Sequence, residues 1–173
     1  MAIAVIRWTA RIALLLYASA LVLTLSPRFR PSYDRQARLL YTLGCVIFLA
    51  HVVAVFHFVH HWSHAAAYRE TARQTAVFFH LDPNRGAAHL GAGLYLNYAF
   101  TLLWTADALY WWAVGPDVYR RRLRRLTLSL HAFLLFLAFN ATVVFVPPPA
   151  RWIGASLWLL LIYVFVRRRP ATV

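Results

Sequence analysis

Apolar residues run along this chain in long uncharged stretches, broken by short arginine-rich or proline-rich connections. A helix needs about 20 apolar residues to cross about 30 Å of hydrocarbon at about 1.5 Å per residue. Five segments approach that length: 3–25, 39–62, 90–115, 126–146 and 152–166. The first is interrupted by Arg7 and Arg11, which are expected to snorkel toward the headgroups. Its basic start and Ala18-Ser19-Ala20 triplet also fit a secretory signal peptide, but a retained anchor is the expectation. The third ends at Gly115-Pro116 and the fourth before Pro147-Pro148-Pro149, where fixed dihedrals and missing N–H donors stop a helix. The fifth would cover only roughly 22 Å, so it requires Arg151 and Arg167 to snorkel, a locally thin bilayer or a half-buried placement.

Between the second and third segments, Ala65, Ala66, Ala67, Ala72 and Ala76 favour helix, with no glycine or proline before Pro83. The second helix is therefore predicted to run on beyond the bilayer to about residue 79, followed by a turn at Asp82-Pro83-Asn84-Arg85-Gly86. Neither repeats nor low-complexity tracts divide residues 1–173, which read as a single polytopic domain. The expected fold is all-α: an integral membrane helical bundle of about five transmembrane helices, with a four-helix core and a peripheral N-terminal anchor.

Composition agrees with that class. The chain is 62% hydrophobic and 13% charged, outside the usual balance of a soluble domain. Its formal net charge of +13 comes from eighteen arginines and no lysine. Arg120, Arg121, Arg122, Arg124 and Arg125 resemble a phosphate-binding run in isolation, yet they occupy a short connection where the positive-inside rule expects them. Nucleic acid is therefore not an expected partner; the lipid bilayer is, together with partner subunits or further copies of the chain. On alternate sides of the five segments, one side gathers Arg28, Arg30, Arg35, Arg38, the cluster around residue 122, Arg167, Arg168 and Arg169. The other holds Arg7, Arg11, Arg69, Arg73, Arg85 and Arg151. Twelve against six makes the first side cytoplasmic, with the N-terminus outside and the C-terminus inside, as in a bacterial cytoplasmic membrane.

The candidate chemistry lies in histidine. His57, His60, His61 and His64 fall within eight residues at the outer end of the second segment. On a continuous helix with His57 at zero, they project near about 300°, about 40° and about 340°, so all four share one face. Imidazoles three and four residues apart can bind one ion, and without carboxylates they suit copper, zinc, iron or haem. The plain alternative is boundary chemistry, with the rings hydrogen-bonding water, headgroups and neighbouring helices.

His57-Phe58-Val59-His60-His61 resembles, in its H-x-x-H-H form, one histidine box of the membrane fatty-acid hydroxylases and desaturases. The resemblance covers five residues. It implies a di-iron site held by several boxes, whereas His51, His80, His89 and His131 form no second cluster, so no activity is carried over. A partner subunit would have to supply the missing ligands.

Two deeper groupings add expectations. Asp107 and His131 each lie roughly 9 to 12 Å from the inner ends of their segments, so they are expected to meet as a proton path or an interhelical pair. His51 and His131 are candidate axial ligands of a haem b between helices, although their depths differ by roughly 9 Å. Trp104, Tyr110, Trp111 and Trp112 are expected to anchor the inner interface. Cys45 stands alone, which excludes a disulfide framework, and no dinucleotide fingerprint, P-loop or nucleophile elbow occurs. The leading functional expectation is a metal or haem site at the outer face, serving redox chemistry or metal handling. Its competitor is a noncatalytic structural or assembly subunit of a membrane complex.

Overall fold

A computed structural model describes residues 1–24, 31–82, 87–146 and 148–167. Leu25, Arg28, Arg30, residues 83–86 of the expected turn, Pro147, Arg168 and Arg169 lie outside them. The described residues are helical and contain no strand. In chain order the helices are α1 (Ala2–Thr24), α2 (Pro31–Phe58), α3 (His64–Phe78), α4 (Gly93–Arg121), α5 (Arg124–Phe139) and α6 (Ala150–Arg167). A 3-10 turn, Ala87–Ala92, leads into α4, and a π-helical turn, Asn140–Val144, extends α5. Segments Ala2–Thr24, Tyr33–Phe58 and Arg124–Val144 are long and apolar enough to cross a membrane; Ala150–Tyr163 is a shorter apolar helix.

Helix α4 is long enough to span but falls short in apolarity, because Asn97, Asp107 and its many tyrosines and tryptophans dilute the aliphatic residues. That composition fits its position. It buries Phe100, Trp104, Ala108 and Trp111, and these meet Tyr17 and Ala13 of α1, Tyr41 of α2 and Leu134 of α5 in one core. Trp104 and Trp111, expected as interfacial anchors, are instead among the largest fully buried side chains, whereas Tyr110 and Trp112 remain exposed. The polar edge of an indole that finds apolar neighbours on every side is outweighed by the area the ring buries.

The N-terminal helix is not peripheral. Ala13, Tyr17, Ala20 and Leu21 of α1 belong to the core, so α1 packs as an integral member of the bundle. Small residues make the approach possible. A Cβ at Gly44 of α2 would lie 3.0 Å from the carbonyl oxygen of Ala13 and 3.1 Å from the Trp104 ring. Close approach through small residues is how helices associate where lipid supplies no hydrophobic drive between them.

Helix α6 docks on the π turn by the same device. Its Gly154 lies against the carbonyl of Thr142, and Trp158 Nε1 donates to Thr142 Oγ1 at 3.0 Å. Arg151 donates to the carbonyls of Val146 at 3.0 Å and Val144 at 3.1 Å, which would otherwise be left open at a helix end. The outer surface of the bundle is apolar, with Leu102, Leu109, Phe136, Leu159 and Ile162 all exposed, as a lipid-facing surface requires.

Candidate functional site

The most developed polar arrangement is centred on Asp107, and it begins with a break in α4. Gly115 has φ 77° and ψ 171°, a region essentially reserved for glycine, and Pro116 follows without an N–H. A straight helix would place residues 107 and 119 about 18 Å apart. Instead the chain folds back after Gly115, and Tyr119 Oη donates to Asp107 Oδ2 at 2.7 Å. The Tyr119 ring stacks on Trp111 with centroids 4.2 Å apart and planes 4° from parallel.

The fold-back carries Arg122 inward. Its guanidinium donates through Nη1 to Asp107 Oδ1, through Nη2 to Tyr119 Oη at 3.1 Å, and through Nε to Thr127 Oγ1 of α5 at 2.8 Å. Tyr41 Oη of α2 donates to Asp107 Oδ2 at 2.8 Å. The side chains of Arg122 and Asp107 are only 6% and 4% exposed, so this is a buried ion pair. Counted as a topogenic surface charge in the sequence, Arg122 is in fact the counter-ion of the buried Asp107 carboxylate. Beside it, Arg120 pairs with the buried Asp34 of α2 at 2.9 Å.

Asp107 and His131 reach the same cluster without the direct bond expected of them. His131 Nδ1 lies 3.0 Å from Tyr17 Oη of α1, and the His131 ring stands edge-on to Tyr41 at 6.3 Å. Tyr41 thus touches both groups, bonding Asp107 with its hydroxyl and packing on His131 with its ring. Tyr17 and Tyr41 were not anticipated as site residues; their only sequence signal was a phenol inside an otherwise aliphatic run.

His51 is not brought to His131. Its Nδ1 lies 2.9 Å from the carbonyl oxygen of Ile6 and 3.3 Å from Thr9 Oγ1, on the N-terminal half of α1. Ile6 and Tyr17 are eleven residues apart on one helix, or about 16 Å along its axis. The two imidazoles therefore meet different depths of the bundle.

His57, His60, His61 and His64 do not form a helical stripe, because the expected continuous helix is broken. Helix α2 ends at Phe58, His61 and Trp62 adopt left-handed φ values of 48° and 60°, and Ser63 caps α3 by accepting from the Ala66 N–H at 3.2 Å. An N-cap serine just before an alanine-rich run was the available signal, and the high helix propensity on both sides concealed it. His57 packs on Phe58 and Trp62, and His60 on Phe56. His64 turns the other way, with Nδ1 3.0 Å from Tyr98 Oη and its ring among Tyr68, Tyr95 and Tyr98. Among the described residues, no three His, Cys, Asp or Glu side chains are grouped to hold a metal ion.

At the same corner lies an open groove of about 320 Å³, lined by Val59, His60, Ala66, Arg69, Glu70 and Arg73. Glu70 accepts from Arg73 Nε at 2.8 Å and Nη2 at 2.6 Å, and from Gln74 at 2.9 Å. The Arg73 fork lowers the Glu70 carboxyl pKa to about 2. Burial holds His60 below the ordinary imidazole value, against an opposing pull from Glu70.

No family model matches the chain, and neither curated proteins nor solved structures yield a match.

Proposed function

We propose that this protein is a structural or assembly subunit of a membrane complex, acting through the surfaces of a rigid bundle. The observation that carries this reading is the saturation of Asp107. Both carboxylate oxygens are occupied, by Tyr41 from α2, Tyr119 from the fold-back and Arg122 from the connection to α5. A carboxylate on a proton or ion path must exchange partners with its cargo, whereas one clamped by three donors fixes the elements that supply them. With Tyr17 and His131 joining α1 to α5, the polar interior cross-links α1, α2, α4 and α5. In this reading five segments cross a bacterial cytoplasmic membrane, with the N-terminus outside, the arginine-rich connections inside and α3 at the outer surface.

A second reading assigns His57, His60, His61 and His64 to a copper, zinc, iron or haem site completed by a partner's ligands. It is favoured by the crowding of four imidazoles within eight residues at the α2–α3 corner. One preparation separates the two. Purified in mild detergent without chelator, the protein is expected to bring down partner proteins in fixed ratio, with no Soret band and less than about one metal per ten chains. A Soret band, or stoichiometric metal lost on His57→Ala and His61→Ala, would overturn the structural reading in favour of the metal site.

A further inference from the structure

We propose that the groove at the α2–α3 corner binds the phosphodiester of an anionic membrane phospholipid. The inference rests on α2 crossing the bilayer, as in the function proposed above. The apolar run of α2 ends at Phe58, so Val59 and His60 are the first residues beyond the hydrocarbon and the groove opens at headgroup level. Phe58, Val59 and Trp62 are exposed there, and a tryptophan at this boundary is a usual interfacial anchor.

The groove's charge matches the ligand. Arg69 and Arg73 lie on successive turns of α3 and line the same side, with Glu70 between them in sequence. Glu70 neutralises one charge and orients the Arg73 guanidinium through Nε and Nη2, while Nη1 has no hydrogen-bond partner among the described residues. Arg69 forms no ion pair with a described residue, so one net positive charge faces the groove, and a phosphodiester carries one negative charge. Ala66 places the first turn of α3 on the rim, where the helix dipole also favours an anion. His60 also lines the groove, and an imidazole ring can offer an N–H donor there.

Lipid rather than free phosphate follows from the walls. Val59, which lines the groove together with Arg69 and Arg73, and its neighbour Phe58 are exposed apolar surface beside the cationic groups at the end of the apolar run of α2. Acyl chains have a surface to lie on beside a headgroup held at Arg69. Free phosphate would use the cations and leave that wall uncovered.

Native mass spectrometry of the full chain in detergent, titrated with phosphatidylglycerol or phosphatidylcholine, tests this. The expected result is preferential binding of phosphatidylglycerol, weakened about fivefold by Arg69→Ala and about thirtyfold by Arg69→Ala/Arg73→Ala. The same charge removed from the exposed Arg7→Ala/Arg11→Ala pair is expected to change affinity less than about twofold. Equal weakening by both pairs would overturn the site in favour of diffuse electrostatics, and displacement of lipid by inorganic phosphate would overturn the lipid assignment. Alkaline carbonate extraction separates the two levels of failure. Release of the wild-type chain from membranes would remove the spanning reading itself, whereas retention without any phosphatidylglycerol preference would overturn the groove alone.

Discussion

Glu70 and Asp107 each meet an arginine, and burial makes the two pairs physically different. The Glu70–Arg73 pair is exposed and screened, so it contributes little to stability despite good fork geometry. Its titration is nonetheless informative. The folded pKa of about 2 lies below the ordinary value of 4.5, so the pair's contribution is fully present above about pH 4.5 and is lost as pH falls through about 2. A carboxyl-carbon NMR titration is expected to place the Glu70 midpoint near 2; a midpoint near 4.5 would contradict the fork. The buried Asp107 behaves otherwise, since removing either partner strands a charge in a low-dielectric interior. In the sequence Asp107 stood out as a carboxylate in an apolar segment that needed a polar partner, but its counter-ion was not legible. Arg122 stands among five arginines of identical local character, and only the fold-back selects it.

That fold-back belongs to the element scale, where Gly115 decides it. Nothing lies within 4 Å of a Cβ built at Gly115, so substitution meets backbone strain alone. Gly115→Ala is expected to destabilise the fold by about 1–3 kcal/mol and to disturb the Trp111–Tyr119 stack. Thermal unfolding and tryptophan fluorescence in detergent check both effects; an unchanged spectrum and transition would show that the turn does not depend on glycine there. Gly115-Pro116 was readable as a helix stop because both residues act locally. The direction taken afterwards was not, since it depends on Trp111 and Asp107 receiving Tyr119 from a distance. The α2–α3 corner failed for the opposite reason: strong helix formers on both sides outweighed one capping serine in the pattern. Four imidazoles that share a face on an ideal helix were separated by two left-handed residues.

Across the whole molecule, the helical class was evident from run length and apolarity, which reflect the solvent rather than any specific contact. Packing was less evident. Helix α1 looked like a peripheral anchor because its face of Ala13, Tyr17 and Ala20 carries no strong pattern, and its role emerges only against Gly44, Trp104 and His131. The aromatic residues at one end of α4 were expected to anchor the membrane interface, yet Trp104 and Trp111 lie in the core shared by α1, α2, α4 and α5, where each ring buries a large area, while Tyr110 and Trp112 stay exposed. The account therefore depends on a buried ion pair that binds α4 and its fold-back to α2 and α5 as one cooperative unit. Thermal unfolding of Asp107→Asn, Arg122→Gln and the double variant in detergent tests it most directly. Each single change is expected to destabilise by about 3–5 kcal/mol, with the double variant well short of their sum because the stranded charge is gone. Two mild effects that simply add would contradict it.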